Sequence, residues 1–303
     1  RLLAIGVDLQ ARTIRHYLQQ LDNEGHTRCV SRRRGREITR LGRNALARGA
    51  AIEKVGFVAA RIDNLCYRMS FQLNTGQGTV VSNIAAIRET HLARAIEDMR
   101  LVYSRGLSMG NRIAIARGQS VLGQRAPGSG EVLLGTVCSM TANGILRAQG
   151  IPVRARFSGL LEIRDGVPSG FLELVDYRGT TMDPLEVFIR AGMTSVRECA
   201  RRGGGVIGAS FREIPSAAAQ EVRRLARRMK EVGLGGMLAV GDPNQPLLDV
   251  PVTEGHAGMV VAAGLNPFAA IRETGAWIDI RPMAAVEDFA RFESFEALRN
   301  RSR

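Results

Sequence analysis

The sequence predicts a mixed α/β (α+β) protein, with an N-terminal winged helix-turn-helix over residues 1–50 and a mixed-sheet α/β domain over residues 51–303. Three observations carry this. One amphipathic helical segment is followed at once by an arginine-rich turn between two extended runs. From about residue 51, strand-like and helix-like runs alternate. Apolar residues make up 45% of the 303, enough to fill at least one substantial core.

From the N-terminus, Leu9 to Gly25 reads "LQARTIRHYLQQLDNEG", with Ile14, Tyr17, Leu18 and Leu21 at the three- and four-residue spacing of one buried helical stripe. Asp8 is a suitable N-cap and Gly25 a suitable stop. "HTRCVSRRRGREITRLG" predicts strands around Thr27 to Val30 and Glu37 to Thr39, a basic turn containing Gly35, and a short helix over Leu41 to Leu46. Helix, basic hairpin and helix is the order of a winged helix, whose helix enters the major groove while the hairpin lies on phosphates or in the minor groove. Only "RLLAIGV" comes before this segment, so the unit reads as incomplete at its N-terminus.

In the second part, Gly78 to Ile87 is β-rich, and Arg88 to Gly106 is helical with Leu92, Ile96, Met99 and Tyr103 on one face. Gly130 to Met140 predicts a strand running into the helical "NGILRAQG", and "IPVRARFSGLLEI" and "GFLELVDY" predict two more strands. A helix starts at Asp183-Pro184, where Asp caps and Pro fits the first turn. "GVIGASFREI" is a strand and "SAAAQEVRRLARRMKEVG" a helix. "GGMLAVG" and "GMVVAAG" are short buried strands, and "NPFAAIRETG" is a helix.

Charge and composition narrow the function. The formal net charge is +13, and residues 1–50 hold 11 arginines against four acidic residues, so basic charge is concentrated at the N-terminus, as contact with a polyanion requires. Lysine occurs only at Lys54 and Lys230, an arginine-over-lysine bias that suggests a high-GC genome but does not explain the clustering. Cys29, Cys66, Cys138 and Cys199 and the four histidines are scattered, so no metal site and no disulfide framework is predicted. No run reaches membrane-spanning length and no secretory leader opens the chain, which places it in the cytoplasm. The glycine-rich loops match neither GxGxxG between strand and helix nor GxxxxGK[ST], so no nucleotide cofactor is expected.

The segment "GVDLQARTIRHYLQQLDNEGHTRCVSRRRGREITRLG" resembles the winged helix of NrpR, the nitrogen-gene repressor family of methanogenic archaea, and is similar to the ribonuclease R type of winged helix. Seven further stretches resemble the NrpR regulatory domain in order: "VGFVAARIDNLCYRMSF", "TVCSMTANGILRAQGIPV", "RFSGLLEI", "GTTMDPLEVFI", "SFREIP", "GGMLAVGDPNQPLLDVPV" and "GLNPFAA". The resemblance implies a non-enzymatic repressor that binds double-stranded DNA, dimerises through one regulatory domain and releases DNA on sensing 2-oxoglutarate.

For DNA, Arg12 and Arg15 suit the O6 and N7 of guanine and Gln10 suits adenine. Thr13 and His16 complete that helix edge, and Arg32, Arg33, Arg34 and Arg36 suit phosphates. A small dicarboxylate effector needs arginine forks, hydroxyls and a helix N-terminus. Thr136, Cys138, Ser139 and Thr141 lie in one strand-to-helix turn, and Arg154, Arg156 and Ser158 alternate on the next run, an arrangement that predicts one strand face. Two other readings stay open at this point: an enzyme acting on a small carboxylate through the Cys138 turn, and a winged helix that binds RNA.

Overall fold

The computed structural model describes residues 11–31, 35–44 and 57–297, and the chain divides into two units, Arg1–Val55 and Gly56–Arg303. In the first, helix α1 (Ala11–Asn23) is followed by an antiparallel hairpin of β1 (Thr27–Ser31) and β2 (Gly35–Ile38), then by helical residues 40–44. Gly25 takes φ +73°, the left-handed conformation that ends a helix, and the His26 N–H closes back on the Leu21 carbonyl at 2.9 Å. Asp8 lies outside the described residues. The predicted buried stripe of α1 is only partly covered: Ile14 and Leu18 are half-buried, whereas Tyr17 and Leu21 are exposed. A two-stranded hairpin offers too little apolar surface to cover a helix of 13 residues.

The second unit is an internal duplication. Its first half runs α2 (Phe57–Arg68), β3 (Thr79–Arg88), α3 (Leu92–Ser104), β4 (Arg112–Ala116), β5 (Glu131–Val137), α4 (Met140–Ala148), β6 (Arg154–Arg164) and β7 (Val167–Asp176). Two short helices, α5 (Pro184–Arg190) and α6 (Val196–Arg202), lead into the second half. There β8 (Gly205–Pro215), α7 (Ala219–Glu231), β9 (Met237–Val240), β10 (His256–Ala262), α8 (Asn266–Arg272), β11 (Ile278–Asp288) and β12 (Glu293–Ser294) repeat the order from β3 to β7. The sheet orders are β11-β3-β5-β4-β12 and β7-β6-β8-β10-β9, so each half gives its last two strands to the other half's sheet. Every strand pair among the described residues is antiparallel.

Register makes the equivalence exact to the residue. Ser82 faces Val137 as Ala209 faces Ala262, and Arg88 faces Glu131 as Pro215 faces His256. One side chain per half then clamps the central strand. Thr141 Oγ1 accepts from the Val81 N–H at 3.1 Å and donates to the Val81 carbonyl at 3.2 Å. Asn266 does the same to Gly208, accepting at 2.9 Å and donating at 2.9 Å. The turn before α8 uses Gly264 where the turn before α4 uses Ser139. A Cβ at Gly264 would lie 2.0 Å from the Val137 carbonyl, so only glycine fits.

Central strands β3 and β8 are buried along almost their whole length, which is why both read as near-continuous apolar runs. Apolar residues of both sheets meet in two large core clusters. The predicted face of α3 is joined by Ala95, Asp98 and Val102, with Asp98 paired to Arg197 at 2.6 Å. Asp183 caps α5, accepting from the Leu185 and Glu186 N–H groups, as the Asp-Pro start predicted. Helices α2 and α6 and strands β4 and β11 were not anticipated. Among the described residues, no helix is long and apolar enough to cross a membrane.

Candidate functional site

The predicted effector turn is buried, but much of its polarity is spent within the fold. Thr136 Oγ1 donates to the Gly264 carbonyl at 2.6 Å and accepts from Asn83 at 3.2 Å, tying the two halves together. Thr141 is the strand clamp. Cys138 and Ser139 are buried between them, and burial pushes the Cys138 thiol up to about 12. A thiol held protonated in this way is not a nucleophile.

The alternation expected of Arg154, Arg156 and Ser158 is broken. Arg154 faces Glu213 and Ala155 faces Arg212, but Phe157 faces Phe211, so Arg156 is the extra residue of a β-bulge. Arg154 and Arg156 therefore converge on the buried Glu213 carboxylate, at 3.5 and 2.6 Å, while Ser158 lies on the opposite sheet face beside Ser210. Burial by itself would raise Glu213, but the Thr253 N–H, the Arg156 guanidinium and the Thr253 hydroxyl outweigh it and hold the carboxyl below its usual range. An open cleft of about 370 Å³ is lined by Arg147, Arg154 and Arg178 together with Ile62, Ala155 and Glu213.

On the Ser158 face stands Arg212, fully buried. Its Nη2 approaches the Met140 sulfur at 3.9 Å, while Nε and Nη1 meet no acceptor among the described residues. Burial pulls this guanidinium below the usual arginine range, and the groups acting on it are Tyr177, Cys138 and Cys66, none of them a carboxylate. The Tyr177 hydroxyl is driven up by burial and by Asp183, and Ser158 Oγ acts on it without reaching hydrogen-bond geometry. Asn143, one turn along α4 from Met140, is fully buried with both side-chain polar atoms unpaired. Over this group lies α2, whose Val58, Ile62, Leu65 and Cys66 form one apolar cluster with Cys138, Met140 and Tyr177. The Cys66 thiol donates to the Met140 carbonyl at 3.5 Å.

In the N-terminal unit, Arg12, Arg15 and His16 are exposed on α1, and Thr13 is half-buried. Arg12 and Arg15 hold no ion pair among the described residues. Arg36 instead reaches Asp22 at 2.7 Å, and Thr27 donates to the same carboxylate, which lowers the Asp22 pKa and ties the hairpin to the helix. Gln10, Arg32, Arg33 and Arg34 lie outside the described residues.

Residues 55–294 match the family model for the NrpR regulatory domains NRD1 and 2. The chain belongs to the NrpR family. It is 33% identical to the global nitrogen regulator NrpRI of Methanosarcina mazei, over 94% of this chain and 87% of that one. Global nitrogen regulators NrpR of Methanocaldococcus jannaschii and Methanococcus maripaludis are 23% and 26% identical over 79% and 95% of this chain, which spans only 40% and 50% of their lengths. The crystal structure of a nitrogen repressor-like protein from Methanococcus jannaschii shares the fold, with a TM-score of 0.66 at 24% identity over 78% of this chain and 97% of that one. As an NrpR-family member the chain is a regulator of the nitrogen-regulator type and not an enzyme. Among its described residues no cluster of metal-binding side chains is present.

Within this NrpR domain the fold brings Cys138, Ser158 and the start of α4 toward one buried polar group, and leaves Arg154 and Arg156 on the other side of the sheet. Arg212, Tyr177 and Asn143 escaped the sequence reading. The signal for Arg212 was present: in "GVIGASFREI" it is an arginine two positions from Ser210 inside an otherwise buried strand, where a charge needs a reason.

Proposed function

We propose that this chain is a DNA-binding transcriptional repressor of nitrogen-metabolism genes, acting as a homodimer, whose grip on DNA loosens when 2-oxoglutarate or a close dicarboxylate occupies the second unit. The observation that carries the reading is the pairing of an NrpR regulatory domain with an N-terminal unit whose α1 presents Arg12 and Arg15, three residues apart and exposed, beside an arginine-rich hairpin. Arginine forks at that spacing reach guanine edges, while hairpin arginines neutralise phosphates. A dimer would set two such helices at half-sites one or more DNA turns apart, and effector binding would change that spacing.

Salt-dependent titrations on two unrelated duplexes, with and without 2-oxoglutarate, test it. Replacing Arg33 and Arg34 by Ala is expected to weaken both duplexes and flatten the salt dependence by about two phosphate contacts. Arg15→Ala is expected to change mainly the preference between duplexes. Equal effects of both changes on both duplexes remove the assigned roles, and tighter binding to single-stranded RNA than to duplex DNA overturns the DNA reading.

A further inference from the structure

We infer that Arg212 is the receptor for a carboxylate group of the effector, at one of two pseudo-equivalent positions in the duplicated domain, and that the other position is packed shut. This rests on the dicarboxylate reading above. The register equates Ala209 with Ser82, and therefore Arg212 with Ala85; it equates Ala262 with Val137, and therefore Ala263, Leu265 and Phe268 with Cys138, Met140 and Asn143. In the shut position Ala85, Ala263, Leu265 and Phe268 are all buried in one apolar core cluster. In the other position the same four places hold Arg212, Cys138, Met140 and Asn143, with four side-chain polar atoms unpaired: Nε and Nη1 of Arg212, Nδ2 and Oδ1 of Asn143.

A buried guanidinium with two of its nitrogens unpaired is strongly destabilising, and the shut half shows that the fold manages with alanine at that place. Unpaired buried donors of this kind are what a carboxylate satisfies, in fork geometry from arginine and with help from the N-terminus of the nine-residue α4. Among the described residues no carboxylate hydrogen-bonds or ion-pairs with Arg212, whose Nε and Nη1 are left for the charge of a ligand. Access and response share one element. Ile62 of α2 lines both the open cleft and the cluster that covers Arg212, and α2 is the first described helix after the junction that follows the N-terminal unit. A ligand that enters beneath α2 displaces the helix through which the chain continues from the DNA-binding unit.

The test is calorimetry on the full chain with 2-oxoglutarate, glutarate and inorganic phosphate as probes, comparing wild type, Arg212→Met and Arg212→Lys, with DNA release measured in parallel. The expected result is one dicarboxylate per chain in wild type. Binding should weaken at least tenfold in Arg212→Lys, which keeps the charge but loses the fork, and vanish in Arg212→Met. Arg212→Met is expected to melt at a higher temperature than wild type and to stay on DNA whatever the 2-oxoglutarate concentration, so a failure to bind effector is separable from a failure to fold. Unchanged affinity in both variants, or two ligands per chain, overturns the inference while leaving the dicarboxylate reading intact. Arg212-dependent binding of phosphate without any dicarboxylate overturns that reading but keeps Arg212 as an anion receptor. If wild type binds none of the three at millimolar concentration, both fall.

Discussion

Replacing Asn266 by Ala should destabilise the second unit about twice as much as replacing Thr141 by Val, although the two side chains perform the same clamp on pseudo-equivalent strands. Thr141→Val removes the acceptor of the Val81 N–H; the Val81 carbonyl keeps the Cys138 N–H at 2.8 Å, so one buried donor is orphaned. Asn266→Ala removes the acceptor of the Gly208 N–H and also the donor to the Leu107 carbonyl at 2.6 Å; the Gly208 carbonyl keeps the Ala263 N–H at 2.9 Å. Two buried groups are orphaned, and a void opens where the fully buried amide stood. At about 1–2 kcal/mol for each orphan, Thr141→Val should cost about 1–2 kcal/mol and Asn266→Ala about 3–4 kcal/mol with its void. Urea unfolding with m-values held in common measures both. Equal costs, or a larger cost for Thr141→Val, would refute the assignment of the clamps as energetic equivalents that differ by one extra bond.

The Asp183 carboxyl is raised to about 6 by burial, against the Glu186 and Leu185 N–H groups that favour its charged form. A carboxyl whose folded pKa lies above its unfolded value makes stability fall as pH rises between about 4 and 6, by up to about 3 kcal/mol. Asp183→Asn keeps the helix cap and should remove that slope, as thermal melts across this range would record. Phe268→Ala should cost about 3–5 kcal/mol by opening a cavity in the shut position, without changing the number of effector molecules bound per chain. Unfolding and calorimetry on the same sample check both halves of that statement. Asp22→Ala should loosen the hairpin by freeing Arg36 and Thr27, read as faster amide exchange in β1 and β2, with Arg36 released to solvent.

Much of the second unit was legible because its strands and helices carry their own periodicity. "SAAAQEVRRLARRMKEVG" declares a helix through Val222, Leu225 and Met229, all buried as the spacing requires. Helix α2 did not, because "FVAARIDNLCYR" mixes Arg61, Asp63 and Asn64 among its apolar residues, and what it covers comes from α4, β11 and the segment after β7, far away in sequence. The duplication went unseen for a related reason. Thr141 and Asn266, or Asn143 and Phe268, are chemically unlike, and only strand register shows that they occupy matching places. Of the residues that the sequence groups together, Cys138 and Ser158 do approach one buried polar group, Arg212 joins that group from a strand the sequence reading left aside, and Arg154 and Arg156 do not share the Ser158 face because a bulge is invisible to strict alternation.

By itself the sequence determined the basic N-terminal unit, the α/β character of the remainder, the capped start at Asp183 and the helix stop at Gly25. Each of these follows from local charge, periodicity or backbone conformation, which neighbouring residues set. Only the tertiary structure decided which arginine is buried with no carboxylate paired to it among the described residues, which threonines are spent on backbone, and which of two equivalent positions is filled. The physical reason is that satisfaction of a buried polar group depends on partners brought from distant segments: Arg212 and Met140 are 72 residues apart, and Thr136 and Gly264 are 128 apart.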